Sequence, residues 1–275
     1  MKVSVVIPVL NERSSLPATI AALRALRDTA ENSFSEIFVS EIFVSEIIVS
    51  QIIVSDGGST DGTADWVRAQ PDLLLVNSPR GKGPQLNVGA ARATGDVLLF
   101  LHADSILSRS ALAALQSALS GAGLSDPALS DPALSESDPA EFPRSPAKVL
   151  GGAFYLRFAE ARPRSLRFVA WGINLRARLR GSATGDQGIF VRREVFQSIG
   201  GAPDWPLFED VELVARIKRA GKFLVLKTPL TVSGRRYIEH GVFRTALLIY
   251  SLRFAFWLGI PPHRLKDWFK DARGK

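Results

Sequence analysis

The sequence lacks cysteine entirely: none occurs among its 275 residues. This absence excludes disulfide bonds, thiolate metal sites and thiol catalysis, and it is compatible with a reducing compartment, so the cytoplasm is the expected location. At this length, and with 46 % hydrophobic residues, the chain can bury a substantial core as one large or two small domains.

Long uncharged apolar runs are also missing, since no stretch approaches the roughly 18 to 20 residues that a membrane-spanning helix requires. The nearest candidate, residues 242–260, is interrupted by Arg244 and Arg253. Its aromatic and aliphatic bulk predicts an amphipathic helix that either lies at a membrane surface or packs on the domain. Residues 1–8 contain one lysine and a short apolar run closed by Pro8, which indicates a buried first strand rather than a secretion signal.

The charge balance is strongly basic, with a formal net charge of +7. Such a charge favours anionic partners: nucleic acid, phosphorylated metabolites or an acidic membrane surface. Nucleic acid is disfavoured, because the sequence contains no recognisable readout motif and its basic residues are dispersed among acidic ones.

The first half of the chain alternates short apolar runs with helical patterns. The predicted strands are residues 3–9, 52–55, 73–76 and 97–101, and the predicted helices are residues 14–27, 63–69, 84–93 and 108–119. This βαβα series predicts an α/β fold, a Rossmann-like and mainly parallel sheet flanked by helices. Ligands of such sheets bind beyond the carboxyl ends of the strands.

The second half predicts further strands and helices that extend the same sheet. Strands are expected at residues 149–158, 188–191 and 223–232, and helices at residues 165–180 and 211–220.

Two segments are repetitive. Residues 36–55 contain four pentamers, EIFVS-EIFVS-EIIVS-QIIVS, and an odd repeat length puts successive copies on opposite faces of one strand. We therefore expect only the last copy, residues 51–55, to be the core strand and residues 36–50 to form an insertion. Residues 121–146 contain repeated Ser, Asp and Pro and predict a flexible low-complexity linker.

A glycine-rich turn, SDGGSTDGT at residues 55–63, places Asp56 where an apolar strand meets a helix. The segment suits either a ligand-binding turn or an ordinary βα turn. Its spacing is wrong for an EF-hand, which would require an oxygen ligand instead of Gly58 and a glutamate instead of Val67. Gly83 follows a lysine where a P-loop requires Ser or Thr, and no dinucleotide fingerprint follows the first strand.

A second cluster, LLFLHADS, ends a buried strand with His102 and Asp104. In an extended chain these two side chains share a face, and a carboxylate there can hold a divalent cation that bridges two phosphates, with His102 supporting it. Alternatively, Asp104 caps the next helix.

Together these segments resemble family 2 glycosyltransferases of the GT-A fold, and the resemblance runs through most of the chain. The segments that carry it are VSVVIPVLNE, QIIVSDGGSTDGT, LLFLHADS, GDQGIFVRREVFQSIGG and FEDVELVARIKRAGK.

The resemblance implies a role for particular residues. The nucleotide sugar would be bound by Pro8, Asn11, Glu12, Asp56, Arg80, Lys82 and Ala103. A metal, Mn²⁺ or Mg²⁺, would be held by Asp104 and by His102, which stands where the family pattern has an aspartate.

On the acceptor side, the resemblance makes Asp210 the catalytic base. Gly185, Asp186, Gln187 and Glu209 would shape the acceptor site. From the residues alone, the acidic pair at 209–210 is equally suited to the first turn of a helix. The Gly-Asp-Gln segment is equally suited to a turn before a strand.

The implied function is an inverting transfer of a sugar from a nucleotide-diphosphate sugar to a hydroxyl or carboxyl acceptor, of lipid or carotenoid-like type. We expect residues 1–235 to form the GT-A domain and residues 236–275 an amphipathic helical segment that contacts the cytoplasmic face of an anionic membrane. Arg235 and Arg236 suit either phosphate or lipid headgroups or a solvated turn.

Two other functions stay open. A GT-A-like nucleotidyltransferase would also bind nucleotide and metal, but residues 8–13 lack the glycine-rich basic loop with which those enzymes typically start. A basic, non-catalytic nucleotide- or membrane-binding module would also explain the charge.

Overall fold

The computed structural model describes residues 1–33, 48–121, 148–160 and 162–273. Most of residues 36–50 and of 121–146, the predicted insertion and linker, lie outside the described residues. The strands are β1 Lys2–Val9, β2 Ile48–Asp56, β3 Leu73–Asn77, β4 Val97–Phe100, β5 Ser105–Ile106, β6 Val149–Phe158, β7 Ile189–Arg192 and β8 Lys222–Val232. The helices are α1 Leu16–Ser33, α2 Thr63–Arg68, α3 Lys82–Ala91, α4 Arg109–Ser120, α5 Ser165–Arg180, α6 Arg193–Ser198, α7 Glu209–Ala220, α8 Arg235–His240, α9 Val242–Trp257 and α10 Pro262–Arg273, with a 3₁₀ turn at Gly185–Gln187.

The strands form one eight-stranded sheet in the order β3-β2-β1-β4-β7-β6-β8-β5. The first four strands in that order are parallel, which confirms the predicted α/β fold with a mainly parallel sheet. Two strands depart from that direction. β7 runs antiparallel to both β4 and β6, and the two-residue β5 runs antiparallel to β8.

The strand β1 is central because its residues are apolar on both faces. Val5 and Val6 point to opposite sides, and both are fully buried between β2 and β4. A strand that is apolar on both faces is stable only where helices cover both faces of the sheet, as the unbroken apolar run predicted.

Two apolar clusters cover the two faces of the sheet. On one face the buried side chains come from α1, α4 and α5, for example Leu16, Leu115 and Leu166. On the other face they come from α3, α6 and α7, for example Leu86 and Leu213. The helices therefore form the outer layers of a three-layer α/β sandwich.

The repeat segment corrects one boundary, because β2 begins at Ile48 and includes residues that we assigned to the insertion. The register shifts at this point: Val3 pairs with Val49, but Ser4 pairs with Gln51, so Ser50 is an extra residue. Such a bulge reverses the alternation of faces. Val49 and Val54, five residues apart, therefore lie in the same apolar cluster, and two repeat copies share one strand.

The C-terminal helices pack onto the sheet domain rather than forming a separate segment. The predicted boundary after residue 235 falls inside α8, because Gly234 precedes a helical turn that starts at Arg235. Leu252 of α9 and Leu265 of α10 pack with Phe208 in a third apolar cluster. The expected amphipathic pattern of α9 is not confirmed, since this helix also exposes large apolar side chains. None of the helices in the described ranges is long and apolar enough to cross a bilayer.

The contact between α3 and β1 predicts an unusual response to a glycine-to-alanine change. A Cβ atom at Gly89 would lie 2.3 Å from Cγ1 of the buried Val6. We expect Gly89→Ala to lower the free energy of unfolding by about 1–3 kcal/mol, because overpacking outweighs the better helix propensity of alanine.

Gly172 in α5 is the matched control, because a Cβ there would meet only the Tyr250 hydroxyl, at 3.4 Å. Gly172→Ala should leave stability unchanged or raise it by up to about 1 kcal/mol. Urea unfolding of the two variants measures the difference, and equal stabilities would contradict the assigned packing of α3.

Candidate active site

The loops that follow β1 and β2 are bonded to each other at the carboxyl rim of the sheet. The Asn11 backbone N–H donates to Ser59 Oγ at 2.9 Å, and the Thr60 N–H donates to Asn11 Oδ1 at 2.8 Å. One residue on, the Glu12 N–H donates to Thr63 Oγ1 at 3.0 Å. Asn11 adopts a positive φ of 58°, a conformation that asparagine tolerates better than most residues. The two loops thus form one fixed wall.

The carboxylate of Asp56 is occupied within its own turn. It accepts hydrogen bonds from the N–H groups of Gly58 and Ser59 and from the Ser59 hydroxyl, and the residue is 4 % exposed. Asp56 therefore determines the shape of the glycine-rich turn. Only its remaining lone pairs are free to meet a ligand.

Helix α3 connects the carboxyl ends of two neighbouring strands. The buried Gln85 amide donates to the backbone carbonyls of Val9 and Ser55 at 2.7 and 2.8 Å, which joins the ends of β1 and β2. At the start of the helix, the side chains of Arg80 and Lys82 are exposed. A helix N-terminus that carries lysine favours anions.

The segment after β4 is a turn, not the extended chain that we expected. β4 ends at Phe100, and the Ser105 N–H donates to the His102 carbonyl at 3.1 Å, so His102 and Asp104 are not consecutive same-face positions of a strand. Pairing of β5 with β8 pulls the chain into this turn. Between the two residues, Ala103 is buried, and its carbonyl accepts from Thr19 Oγ1 at 2.7 Å.

The His102 ring meets the start of α3, since its Nε2 lies 3.3 Å from Lys82 Nζ. Burial lowers the pKa of His102 well below its usual value, and the charges of Lys82 and Arg236 lower it further. The imidazole is therefore neutral, and an ammonium donor beside Nε2 indicates that this nitrogen carries the lone pair.

Burial raises the pKa of Asp104, with the negative charge of Asp186 adding to the effect, while Arg236 and Lys82 act in the opposite direction. Burial also raises the pKa of Glu12, and Asp104 contributes. These interactions show that residues distant in sequence lie in one electrostatic cluster.

Gly185 connects this cluster to α7. Its N–H donates to Asp210 Oδ2 at 2.6 Å. A Cβ atom at Gly185 would lie 2.9 Å from His102 Nε2 and 3.5 Å from Asp210 Oδ2. The imidazole after β4 and the carboxylate at the start of α7 therefore both pack against a glycine where an added Cβ would be too close to the imidazole.

The 3₁₀ turn itself is fixed by its own polar side chains. The Thr184 hydroxyl donates to Asp186, and the Thr184 N–H donates to Gln187 Oε1 at 3.2 Å. The buried Gln187 amide in turn donates to the Phe154 carbonyl of β6 at 3.0 Å. The turn thus holds Gly185 at a defined position above the sheet.

The start of α7 carries two adjacent carboxylates in different environments. Glu209 is 6 % exposed, and burial together with the charge of Asp210 raises its pKa to about 7. Asp210 has both oxygens held by backbone N–H groups, since Oδ1 also accepts from Val211 at 2.7 Å. The preceding Phe208 has a positive φ of 63°, a strained conformation for a bulky residue, and its ring packs 4.9 Å from that of Phe256.

Sequence reasoning missed the contribution of α5 and the C-terminal helices to this region. Arg253 of α9 interacts electrostatically with Asp186, Asp210 and Arg176 of α5, and burial lowers its pKa to about 10. Burial raises the pKa of Tyr237, and Asp186 raises it further. The signal in the sequence is Arg253, a charged residue inside the otherwise apolar run of residues 242–260. By itself it indicates only that this run does not span a membrane.

The predicted residues thus divide into the wall formed by the loops after β1 and β2 and a cluster of charged side chains along the same rim. Asp56 ends β2 and Asp104 follows β4, with β1 between them, so the two strand ends are separated by about 10 Å. Asp104, Asp186 and Asp210 belong to the same cluster of interacting charges. A separate pocket of about 280 Å³ beside α3 and α6 contains none of these carboxylates.

In the described part of the chain, no group of three or more His, Asp or Glu side chains is arranged to hold a metal ion. A metal here would depend on Asp104 and His102 together with oxygens of a bound ligand. The chemistry of both residues suits that task, because His102 is neutral and the buried Asp104 carboxylate would be stabilised by a cation, but a metal on His102 Nε2 would have to replace the Lys82 ammonium that faces it.

Solved structures of glycosyltransferases share this fold. With a TM-score of 0.55, the chain resembles S. aureus TarS 1-349, at 15 % identity over 93 % of this chain and 66 % of that one. The TarS 1-349 complex with UDP-GlcNAc has a TM-score of 0.55 and 16 % identity, and the match covers 85 % of this chain and 58 % of that one. The mannosyltransferase PcManGT from Pyrobaculum calidifontis, in complex with GDP-Man and Mn²⁺, has a TM-score of 0.55 and 21 % identity. This match covers 96 % of this chain and 67 % of that one.

The chain spans less than two thirds of the length of the TarS structures. No curated protein matches it. The family model for glycosyl transferase family 2 matches residues 4–127, a range that includes the loops after β1 and β2, His102 and Asp104 but ends before Gly185 and Asp210. Residues 4–127 thus match the family 2 glycosyltransferase model, and the described part of the chain has the GT-A fold.

Proposed function

We propose that the protein is an inverting hexosyltransferase that moves a sugar from a nucleotide-diphosphate sugar to a hydroxyl or carboxyl group of an acceptor. The observation that carries this proposal is that His102 and Asp210 both approach Gly185, each within 3.5 Å of the position that a Cβ atom there would occupy. The phosphate-side group and the carboxylate base of the proposal are thus neighbours at one glycine.

Donor binding is assigned to the wall formed by the loops after β1 and β2 and to the start of α3. Pro8, Asn11, Glu12 and Asp56 would contact the nucleoside, with Ala103 below it. Arg80 and Lys82 would meet the diphosphate, supported by the N-terminus of α3. UDP-GlcNAc and GDP-Man in the related structures support this class of donor.

Metal binding is assigned to Asp104 and His102, as Mn²⁺ or Mg²⁺, with the remaining ligands coming from the donor diphosphate and water. The Mn²⁺ complex of PcManGT supports this assignment. A bound ion would neutralise the charge that develops on the departing diphosphate. Lys82 and Arg236, both in the same cluster of charges, would contribute to the same stabilisation from the protein itself.

Asp210 is the group that would accept the proton of the attacking acceptor. Its two backbone donors, Gly185 and Val211, fix the carboxylate plane without neutralising its charge. Burial and the charge of Asp210 raise the pKa of Glu209 to about 7, so this carboxyl group is partly protonated near neutral pH. A base on one side of the sugar and a leaving diphosphate on the other give single displacement with inversion.

The exposed apolar side chains of α5 and α9 support peripheral binding at the cytoplasmic face of an anionic membrane. They recur at helical spacing: Phe168, Trp171, Leu175 and Leu179 on α5, and Phe243, Leu247, Tyr250, Phe254 and Trp257 on α9. The sequence contains no Asp or Glu in residues 162–185 or in residues 240–266, and both segments carry several arginines. An apolar face within a purely basic surround is complementary to an anionic bilayer rather than to a neutral protein partner.

The catalytic proposal is tested by Asp210→Asn. After a screen of UDP-, GDP- and dTDP-sugars identifies the donor by thermal shift with and without Mn²⁺, the variant should bind that donor within about twofold of the unchanged protein. Its turnover should fall by a factor on the order of 100 or more, because the general base is lost.

Glu212→Gln is the matched control, since Glu212 lies on the same helix but pairs with Arg216 and Arg219. It should keep its turnover. Full turnover by Asp210→Asn would assign the base elsewhere, and release of pyrophosphate instead of nucleoside diphosphate would indicate nucleotidyl transfer.

The membrane proposal is tested by Trp257→Glu, which places a charge on a side chain that is 75 % exposed. Sedimentation with vesicles of phosphatidylglycerol and phosphatidylcholine should show at least tenfold weaker binding, because the buried area of a large aromatic side chain is lost.

Gln197→Glu adds the same charge on α6, on the opposite face of the sheet, and should bind vesicles as the unchanged protein does. Equal loss in both variants would mean that only net charge matters. Binding that is unaffected by Trp257→Glu would remove this face from consideration.

A further inference from the structure

Two arginines interact electrostatically near the proposed base, and both lie outside the residues that the family model matches. Arg176 lies on α5 and Arg253 on α9, two helices that pack against each other where Gly172 lets the Tyr250 hydroxyl approach. Arg253 interacts electrostatically with Arg176, Asp186 and Asp210. Two positive charges therefore lie near Asp186 and Asp210, on the proposed acceptor side of the site.

These arginines are short of hydrogen-bond acceptors. The Nε of Arg176 is buried without a partner, while its Nη2 donates to Gln187 Oε1 at 3.3 Å. Within the described ranges, no hydrogen bond or ion pair holds Arg253. An arginine has five N–H donors, so most of the donor capacity of this pair is unused.

Among the described residues, the nearby carboxylates do not neutralise the pair by direct contact. Asp210 accepts from two backbone N–H groups, and Asp186 accepts from the Thr184 hydroxyl. Burial and the charge of Arg176 together lower the pKa of Arg253 to about 10, which shows that the folded protein does not fully compensate the guanidinium. Two adjacent, partly desolvated guanidinium groups are stabilised when an anion lies between them.

We propose that Arg176 and Arg253 bind an anionic group of the acceptor, and that this group is a phosphate. A phosphate monoester carries close to two negative charges and several acceptor oxygens, which matches two guanidinium groups better than a single carboxylate does. Anchored there, the acceptor presents its reacting oxygen to Asp210. This inference rests on the proposed function, since it identifies the class of acceptor for the same site.

The phosphate could belong to a soluble metabolite or to a lipid headgroup, and the two sources are separated by the choice of probe. Glycerol 3-phosphate, compared with glycerol, tests a soluble phosphomonoester. Phosphatidic acid in detergent micelles, compared with diacylglycerol, tests a lipid phosphate. Binding is measured by titration in the presence of saturating nucleoside diphosphate, so that the donor-side phosphate site is already filled.

We expect at least one phosphate probe to bind and its uncharged counterpart not to bind. Arg253→Gln and Arg176→Gln should each weaken that binding by about tenfold or more, because each removes charge-assisted hydrogen bonds. Arg253→Lys should recover part of the loss, since it restores the charge but not the planar fork. Arg178→Gln, at an exposed position two residues from Arg176 on α5, should bind within about twofold of the unchanged protein.

Arg253→Gln is the decisive variant, because Arg253 supports no hydrogen bond within the described fold and its loss should leave the unfolding midpoint unchanged. Unchanged phosphate binding in this variant, or failure of both phosphate probes to bind, would overturn the inference.

The outcome stays distinct from that of the proposed function. If the nucleotide sugar binds and is turned over with an uncharged acceptor while neither phosphate probe binds, the function stands and this inference is wrong. If phosphate binds through Arg176 and Arg253 but no nucleotide sugar binds, the assigned function is wrong.

Discussion

The site depends on one close approach, that of the Gly185 backbone to Asp210. The 2.6 Å hydrogen bond from its N–H fixes a carboxylate at the start of α7, and the missing Cβ leaves room for the His102 ring. A larger residue would separate the two groups or force one of them to move. Because packed interiors transmit such displacements, the geometry of the whole cluster follows from this contact.

Three distant parts of the chain support that contact. The pairing of β5 with β8 positions the turn that contains His102, and the Gln187 amide holds the 3₁₀ turn to Phe154 of β6. Phe208, strained at the start of α7, packs against Leu252 and Leu265 of the C-terminal helices. Strain of this kind persists only where surrounding structure imposes it, so the packing of α9 and α10 on Phe208 helps to position the neighbouring Asp210, the proposed base.

The sequence predicted much of the fold because its signals there were local. Apolar runs with intervening helical patterns located the parallel strands, and Gly, Asp and Ser marked the turn at Asp56. Very short elements, and elements that depend on pairing with a distant part of the chain, were not predicted. β5 has two residues and exists only through its pairing with β8, and the bulge at Ser50 depends on the register with β1. Odd repeat length alone therefore gave the wrong start for β2.

The candidate site was predictable where it follows the strand ends and unpredictable where helices converge. His102, Asp104 and Asp210 could be named from motifs, but their meeting at Gly185 depends on tertiary packing. The role of Arg253 could not be read from the sequence, because a charge in an apolar helix is equally compatible with solvent, membrane or a buried site. Only its approach to Arg176 and the acceptor-side carboxylates distinguishes these environments.

The central claim is that donor and acceptor chemistry meet at Gly185, and the turnover of Gly185→Ala tests it most directly. The backbone there does not adopt the left-handed conformation that favours glycine, so the added methyl acts only through its contacts with His102 and Asp210. The account predicts an unchanged unfolding midpoint and a fall in kcat on the order of 100-fold, as expected for a displacement of about 1 Å at a reacting centre. A Gly185→Ala protein that folds normally and keeps its full turnover would contradict the account.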